Sequence, residues 1–201
     1  MNSGRYRTVA GRGEASLTVR GSQFLGTVEH VRDVSTAEAL VDSIRADYPD
    51  ATHVVPAYRI RANPFREFAS DDGEPSGSAG KPILTVLQGQ ELENVIAVVV
   101  RYYGGTNLGI GGLVRAYQGA VKAAIEDAGV SERRPRSRLV IRSSYDDSGT
   151  IRGILEASDA TLAADYEESV TFTVDAPVTA VPALTERLLD ATSGRVDISE
   201  E

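Results

Sequence analysis

The sequence contains no cysteine and only two histidines. The absence of cysteine excludes disulfides, thiolate nucleophiles and cysteine-ligated zinc. His30 and His53 form no helical His-x-x-x-His pair, so an imidazole-built metal site is not indicated either. We therefore predict a protein without a bound metal and without a cofactor.

Lysine is nearly absent as well, because only Lys81 and Lys122 among the 21 basic residues are lysine, against 29 acidic residues. The net charge of −8 makes the chain a poor general nucleic-acid binder, since phosphate binding requires clustered cations. Contact with RNA would have to come from a local patch, and no DNA partner is expected. An acidic, lysine-poor surface stays hydrated in concentrated salt, which leads to the hypothesis that the source organism has a salty cytoplasm.

Long apolar runs are also missing. None approaches the ~20 residues that cross a bilayer, and the N-terminal stretch MNSGRYRTVAGRGE has no apolar segment typical of a signal peptide. These absences predict a cytoplasmic protein with no membrane partner. The sequence leaves the oligomeric state open.

The first part of the chain shows strand and helix patterns in turn. ASLTVRGSQFLGTVEHV predicts two strands joined at Gly21-Ser22, because apolar and polar residues alternate on both sides of that dipeptide. Ser35 and Glu38 form a capping box at the start of a predicted helix, which Pro49 ends.

A third predicted strand, THVVPAYRI, contains Pro56, which suggests a sheet edge or a bulge. ASDDGEPSGSAGKP is too rich in Gly, Ser, Asp and Pro for regular structure and predicts a loop. ILTVLQG fits a short helix or a strand. NVIAVVVRYY shows no alternation, which predicts a strand buried on both faces, and the apolar spacing from Leu113 predicts a helix that Gly129 caps.

The polar, proline-broken segment SERRPRSR, residues 131–138, marks the predicted domain boundary. We predict an α+β protein with a first domain over residues 1–132 and a second over residues 133–201. The second domain shows strand, helix, strand, strand, helix and strand patterns, with helices at residues 149–157 and 181–192. This β-α-β-β-α-β order is the ferredoxin-like pattern.

Two glycine-rich segments fail as nucleotide-binding motifs. GEPSGSAGKP has proline where a P-loop requires its first glycine and its hydroxyl residue, and Val114 replaces the third glycine of a Gly-x-Gly-x-x-Gly pattern that starts at Gly109. A glycine-rich turn that opens a helix still exposes N–H groups suited to phosphate or carboxylate, and Arg101 and Arg115 could add positive charge. The competing explanation, which the spacing favours, is that these glycines let two backbones cross or adopt positive φ.

Acidic and aromatic residues near the glycines leave two interpretations open. The Asp71-Asp72 pair and Glu74 fit a divalent cation site or a general base, but they fit an exposed turn better. The Tyr102-Tyr103 pair and Tyr117 fit stacking on a nucleobase or peptide, whereas tyrosines in strands and helices usually pack with one end in water.

Two longer segments, SDDGEPSGSAGKPIL (residues 70–84) and VVVRYYGGTNLGIGGLVRAY (residues 98–117), resemble the signature of the IMPACT family, whose bacterial branch is called YigZ. FLGTVEHV, VDSIRADYPDATH and the two-domain length extend the resemblance over the rest of the chain. It implies a first domain with the fold of domain two of a small-subunit ribosomal protein and of domain IV of elongation factor G. It implies a second domain like the ferredoxin-like last domain of that factor.

The resemblance also carries functional expectations. Eukaryotic relatives regulate translation by binding the activator of an initiation-factor kinase, whereas no reaction is implied for the prokaryotic branch. We therefore expect a non-enzymatic cytoplasmic protein that binds the ribosome, RNA or a translation-associated protein through the face carrying both segments. The residues expected to bind a ligand are Asp71, Asp72, Glu74, Lys81, Arg101, Tyr102, Tyr103, Gly104, Gly105, Gly109, Gly111, Gly112, Arg115 and Tyr117, and no residue is assigned a catalytic role.

Two other functions are kept as alternatives. The first is a Mg²⁺-dependent hydrolase or phosphotransferase acting on a small phosphorylated metabolite, with Asp72 or Glu74 as base or metal ligand. The second is a protein–protein adaptor that retains its partner through the acidic second domain.

Overall fold

The structure is a computed structural model that describes residues 4–62 and 64–200. The chain divides into two compact units, Tyr6–Arg133 and residues 134–200 together with residues 4–5. Within the described residues, no helix is both long enough and apolar enough to cross a membrane.

The first unit is built from strands and helices in mixed order. Its elements are β1 (Tyr6–Val9), β2 (Gly13–Val19), β3 (Ser22–His30), α1 (Val34–Asp47), β4 (His53–Ile60), β5 (Arg66–Ala69), α2 (Gly80–Gly89), β6 (Val95–Tyr102), α3 (Ile110–Ala128) and β7 (Val130–Arg133). Five of the strands form an antiparallel sheet in the order β2-β3-β6-β4-β5, and β1 pairs with β7 in a separate antiparallel ribbon.

Strand β6 lies at the centre of the five-stranded sheet and is buried on both faces. Alternate residues of β6 enter one apolar core with α2 and α3, and the residues between them enter a second core with α1. The prediction of a strand buried on both faces is therefore confirmed. Because β6 ends at Tyr102, the segment that follows it emerges at one end of the sheet.

The prediction that Pro56 marks a sheet edge or a bulge is wrong, because β4 lies between β6 and β5, with Pro56 directly opposite Val98. The physical reason lies in the direction of the missing donor. The N–H and C=O of one strand residue point to the same side, and the Pro56 carbonyl accepts from the Ser70 N–H, just beyond the end of β5 (N···O 3.1 Å). The missing N–H therefore faces the end of a short edge strand, and the ladder with β6 stays intact.

The start of α1 also differs from the predicted capping box. Asp33 is the N-cap and its Oδ1 accepts from the Thr36 N–H at 2.7 Å, while Ser35 donates its hydroxyl to the same carboxylate at 2.8 Å. Aspartate and serine cap helices about equally well. Because Asp33 lies two residues before Ser35, the helix begins after Asp33 and not after the predicted cap Ser35. The helix ends at Asp47, before Pro49, as predicted.

The helix–strand ambiguity after the first glycine-rich loop is resolved as helix α2. Helix α3 begins at Ile110, three residues before the predicted start at Leu113. It ends at Ala128, and the predicted cap Gly129 follows with φ 68°, which only glycine adopts without strain. The short strands β1, β5 and β7 were not predicted from the sequence, since each has only four residues and shows no readable alternation.

The second unit contains β8 (Arg136–Ser143), α4 (Tyr145–Glu156), β9 (Thr161–Tyr166), β10 (Val170–Pro177), α5 (Val181–Ala191) and β11 (Asp197–Glu200). Its four strands form an antiparallel sheet in the order β11-β8-β10-β9. The predicted order of elements is present. Helix α4 starts four residues before the predicted start at residue 149, because Ser144 forms the N-cap and two aspartates in the first turn favour the helix N-terminus.

Candidate functional site

The two glycine-rich segments meet around a buried carboxylate. We call residues 70–79 the first signature loop and residues 103–109 the second. Glu74 of the first loop accepts hydrogen bonds through Oε1 from Arg101 Nη1 and from the Tyr117 hydroxyl, each at 2.6 Å. Arg101 precedes the second loop and Tyr117 lies two turns into α3, so Glu74 joins the first loop to both flanks of the second.

This ion pair is withdrawn from water. The side chain of Glu74 is 3% exposed and that of Arg101 is 6% exposed. Arg101 also lies over the rings of Phe24 and Tyr103, at 5.4 and 5.5 Å from the ring centroids. Among the described residues its Nε has no hydrogen-bond partner. The structure thus gives Arg101, which we expected to meet a ligand anion, an internal carboxylate instead.

Tyr117 is fully buried and takes an internal partner as well. Burial raises the pKa of its hydroxyl above the ordinary value, and the hydrogen bond to Glu74 raises it further, so the group stays protonated and acts as a donor. Its ring packs edge-on against Phe24 with centroids 5.2 Å apart. The side chain has no exposed surface on which a base or peptide could stack.

The partly buried His53 completes this network, and the sequence did not identify it as a site residue. Its Nδ1 lies 2.7 Å from the Asp72 carbonyl oxygen, which can only accept, so Nδ1 donates this hydrogen bond. Nε2 then faces Glu74 Oε2 at 3.8 Å. The antiparallel pairing of β4 with β6 places His53 directly opposite Arg101, a relationship that only the sheet register reveals.

The two aspartates of the first loop stabilise the loop conformation through hydrogen bonds. The carboxylate of Asp71 accepts from the N–H groups of Gly77, Ala79 and Gly80, at 2.7, 3.1 and 2.9 Å. Partial burial raises the pKa of Asp71, but these N–H donors together lower it more, so the net pKa lies below the ordinary value. Asp71 therefore acts as an ionised cap where α2 begins.

Asp72 ties the same loop to the sheet and to α1. It adopts φ 45°, and its two carboxylate oxygens accept from Arg45 at 2.6 Å and from the Val54 N–H at 2.7 Å. Both oxygens are thus occupied by the protein. Within the described residues, no group of three or more histidine, aspartate and glutamate side chains is arranged to hold a metal ion. The absence of a metal and of a cofactor stays a prediction.

The glycines of the second loop allow a close backbone contact and positive φ angles that a residue with a side chain would not. A Cβ on Gly104 would lie 1.9 Å from the carbonyl carbon of Gly21, so the loop crosses the β2–β3 turn backbone against backbone. Gly105 and Gly109 have φ 81° and 70°. The explanation favoured from the spacing, a close crossing and positive φ, accounts for these three positions.

Gly111 and Gly112 differ, because they lie in the first turn of α3. The first α-helical hydrogen bond runs from the Leu113 N–H to the Gly109 carbonyl at 3.0 Å, so the N–H groups of residues 110–112 lie ahead of it. A helix N-terminus of this kind favours anions. The Nη1 of Arg115 would lie 3.5 Å from a Cβ on Gly111, which places its guanidinium beside the same turn.

Among the predicted site residues other than glycine, three are exposed. Lys81 and Arg115 are exposed and, in the part of the chain that the structure describes, neither forms an ion pair. Tyr103 is 47% exposed, and its backbone N–H donates to Thr52 Oγ1 at 3.0 Å. Tyr102, by contrast, is half-buried and packs against the core that contains α1.

The site is therefore a two-layer arrangement in a two-unit α+β protein. A buried layer of Glu74, Arg101 and Tyr117, with the partly buried His53 beside it, joins the two loops. We call the exposed residues beside the two loops, Lys81, Tyr103 and Arg115 with the first turn of α3, the outer layer. Sequence reasoning found both loops but assigned buried residues to ligand contact, since a motif does not show which of its side chains face inward.

The comparisons with known proteins agree with the sequence signature. The family model of the Impact N-terminal domain matches residues 20–125, and a domain of unknown function, DUF1949, matches residues 141–195. The chain belongs to the IMPACT family. It is 35% identical over 196 residues to IMPACT family member YvyE of Bacillus subtilis, with 97% of this chain and 90% of that protein covered. It is also 35% identical over 183 residues to IMPACT family member YigZ of Escherichia coli, with 90% of each chain covered.

Similarity extends to a eukaryotic relative and to a solved structure. Protein IMPACT homolog of Saccharomyces cerevisiae is 34% identical over 99 residues, which cover 46% of this chain and 37% of that protein. A crystal structure of a hypothetical protein superposes with a TM-score of 0.74 and 33% identity over 96% of each chain. That structure carries the fold but no functional description.

Proposed function

We propose that this protein is a cytoplasmic, translation-associated regulator that binds RNA of the ribosome through the outer layer of the two signature loops. The observation that carries the proposal is the buried Glu74–Arg101 ion pair, which joins both loops into one surface. That surface presents an exposed tyrosine, Tyr103, and two cations that form no ion pair with any described residue. Cations and free N–H groups bind phosphate, and an exposed aromatic ring stacks on a base.

Membership of the IMPACT family supports the link to translation, because the signature implies relatives that regulate translation. The yeast homologue aligns over 99 residues, a length that fits the match of this chain to the Impact N-terminal domain over residues 20–125. Regulation through the first domain fits a function shared by bacterial and eukaryotic relatives. A ribosome-associated protein is the competing partner.

We also propose two domains, residues 1–132 and 133–201, with the finer folds that the resemblance implies. The element order of the second unit and its sheet order β11-β8-β10-β9 support a ferredoxin-like fold. The first domain is assigned the fold of domain IV of elongation factor G on the resemblance alone.

The enzymatic alternative depends on Asp72 or Glu74 as base or Mg²⁺ ligand. Asp72 is held by Arg45 and the Val54 N–H, and Glu74 by Arg101 and Tyr117. A catalytic role would require breaking one of these contacts. The arrangement therefore favours binding over catalysis for this surface.

The experiment is co-sedimentation with ribosomes from lysate at native salt. We expect the wild-type chain to sediment with ribosomes and a Lys81→Ala/Arg115→Ala variant to bind about 10-fold or more weakly, since each charge-assisted phosphate contact contributes more than about 1 kcal/mol. Binding of purified ribosomal RNA should show a salt slope that is shallower in the variant, by about 0.7 to 0.9 for each phosphate that the variant no longer neutralises.

The matched control is Arg66→Ala/Lys122→Ala, which removes the same charge from exposed positions on β5 and on the later turns of α3. This control should behave as wild type. Sedimentation of wild type and both variants to the same extent would contradict the proposal. Binding to ribosomes but not to purified ribosomal RNA would replace the RNA partner with a ribosome-associated protein.

A further inference from the structure

Strand β9 is an open edge of the sheet in the second unit. It is the last strand in the order β11-β8-β10-β9, and among the described residues it pairs only with β10. Its sequence, TLAADY, contains neither proline nor lysine and carries a single charge. Edge strands usually avoid pairing with another chain through proline, lysine, bulges or a very short length. With six residues, against four in β11 at the opposite edge, β9 keeps an edge on which another strand can pair.

The direction of the unpaired backbone groups follows from the hairpin that joins β9 to β10. The Glu167 N–H donates to the Ser169 carbonyl across this hairpin at 3.1 Å. Backbone groups point to alternate sides along a strand, and the register of β9 on β10 has no bulge. The odd-numbered residues of β9 therefore direct their N–H and C=O groups to β10. The even-numbered residues, of which Ala164 is the central one, direct them to the open edge.

Two exposed tyrosines lie where β9 ends. Tyr145 begins α4 and is 53% exposed, and Tyr166 is the last residue of β9 and is 48% exposed. Their ring centroids lie 6.3 Å apart. Both hydroxyls have internal partners, because that of Tyr145 donates to the Glu167 carbonyl at 2.7 Å and that of Tyr166 accepts from Arg152 Nη2 at 2.8 Å. The two rings are thus held in place while remaining exposed, so a partner that packs on them loses little of its binding energy to ordering side chains.

The two faces of β9 differ in character. Ala164 packs against the apolar core of the second unit, so Tyr166, two residues further along the strand, lies on the same face. Asp165 lies on the opposite, exposed face, and the hairpin adds the exposed residues Glu167 and Glu168. Within residues 4–62 and 64–200, none of these three carboxylates forms an ion pair. A strand added along β9 would therefore meet aromatic surface on one face and negative charge on the other.

We propose that the open edge of β9 binds an extended segment of another protein in which basic and apolar side chains alternate. The main chain of this segment pairs with the even-numbered residues of β9, its apolar side chains pack on Tyr145 and Tyr166, and its basic side chains face Asp165. Strand addition gives affinity through backbone hydrogen bonds and specificity through alternate side chains. The charge disfavours two other occupants, since RNA phosphates and a second copy of this acidic edge would both be repelled. The proposal concerns the second unit alone and is independent of the RNA surface proposed for the first.

The test is a titration of the full chain against a fluorescein-labelled nine-residue peptide of alternating arginine and valine, followed by fluorescence anisotropy. We expect saturable binding, and binding weaker by about 10-fold or more when glutamate replaces arginine. N-methylation of all arginine nitrogens or of all valine nitrogens should have unequal effects, because only alternate N–H groups of an added strand face β9. One methylated peptide should lose binding and the other should retain it.

Substitutions then locate the binding edge. Ala164→Pro removes an N–H that faces the open edge, a change that edge strands tolerate, and should weaken binding about 5-fold or more while the circular dichroism spectrum stays that of the wild type. Tyr145→Ala should weaken it to a similar degree. Asp165→Asn, which leaves the backbone unchanged, should narrow the preference for the arginine peptide over the glutamate peptide. The matched control is Tyr48→Ala, which removes a 36% exposed tyrosine from the first unit and should leave binding unchanged.

Several outcomes would overturn the proposal. These are equal binding of the arginine and glutamate peptides, equal effects of the two methylations, and wild-type binding by both Ala164→Pro and Tyr145→Ala. Binding of poly-uridine that Tyr145→Ala weakens would identify RNA as the occupant instead. A dimer in sedimentation velocity that Ala164→Pro dissociates would identify a second copy of this chain.

Discussion

At the residue scale, Glu74 is a buried structural residue of the signature. A carboxylate in an Asp-Asp-Gly-Glu-Pro segment suggests a metal ligand or a base, yet here it is 3% exposed and satisfied by a guanidinium and a phenol. A buried charge is tolerated only when it is paired and hydrogen-bonded. Glu74 and Arg101 therefore depend on each other, although 27 residues separate them.

Substitution of Glu74 by glutamine should destabilise the first unit by about 3 kcal/mol, because removal of one partner leaves the other charge buried and unpaired. Urea unfolding followed by circular dichroism measures the effect. A Glu74→Gln/Arg101→Met double variant should recover part of the stability, because it removes the uncompensated charge as well.

The control for this prediction is an ion pair on the same sheet that is more open to water. Glu67→Gln breaks the contact of Glu67 with Arg59 (2.7 Å), in which the glutamate side chain is 34% exposed. Its cost should stay within about 1 kcal/mol. Equal destabilisation by Glu74→Gln and Glu67→Gln would show that the Glu74 pair is not the buried link described above.

The roles of these residues could be predicted only in part. The resemblance to the IMPACT signature led to the expectation that Asp71, Asp72, Glu74 and Arg101 share one face. It did not show that Arg101 turns inward or that His53 joins the network. Both facts follow from the register of β4 on β6, which pairs His53 with Arg101 and is set by contacts distant in sequence.

At the element scale, the backbone crossing of the second loop limits what that loop can contain. Gly104 and Gly21 touch backbone to backbone, and the Gly104 N–H also donates to Ser22 Oγ at 3.0 Å. Gly111, in the first turn of α3, has open space apart from the flexible end of Arg115. The same residue type thus has a packing role at one position and a replaceable role at the other.

Gly104→Ala should therefore destabilise the first unit by about 2 kcal/mol, because the nearest atoms are main-chain atoms that cannot move aside. Gly111→Ala should stabilise it by about 0.5 kcal/mol, since alanine favours the helix that glycine disfavours. Thermal and urea unfolding of both variants measure the difference in sign. A stable Gly104→Ala variant would mean that the loop does not lie against the β2–β3 turn.

Helices and strands with a strong local sequence pattern were predicted well. Strands whose position or existence depends on pairing with distant strands were not. Strand β6 has an unbroken apolar run, and helix α3 has a terminal glycine. Pro56 locally indicates a sheet edge or a bulge, yet β4 lies inside the sheet. The pairing partners of β4 determine on which side its backbone N–H groups must donate, and the sequence around Pro56 does not show these partners. The unpredicted four-residue strands β1, β5 and β7 gain their pairing from tertiary contacts.

At the scale of the whole molecule, the charge excess is the main feature that the composition reveals. With 29 acidic and 21 basic residues, the folded chain repels itself at low salt. Salt screens this repulsion, since the Debye length falls from about 10 Å at 0.1 M to about 3 Å at 1 M. The hypothesis of a salty cytoplasm rests on this balance and on the scarcity of lysine.

The melting temperature should rise by several degrees between about 0.1 M and 2 M KCl, because relief of about 1 kcal/mol of repulsion shifts a protein of this size by about 2–4 °C. Calorimetry at a series of KCl concentrations measures it, and separate transitions of the two units should be fitted separately. Sucrose at matched osmolality serves as a control that stabilises proteins without screening charge. A melting temperature that falls with KCl would exclude the adaptation.

The scarcity of lysine has a further, practical consequence. Beyond the α-amino group, the only primary amines of the sequence belong to Lys81 and Lys122, and both residues are exposed. Lys81 lies in the first turn of α2, beside the first signature loop, and Lys122 lies on the later turns of α3. An amine-reactive fluorophore or cross-linker therefore labels this molecule at very few places, and peptide mapping can assign any protected or bridged amine to one side chain.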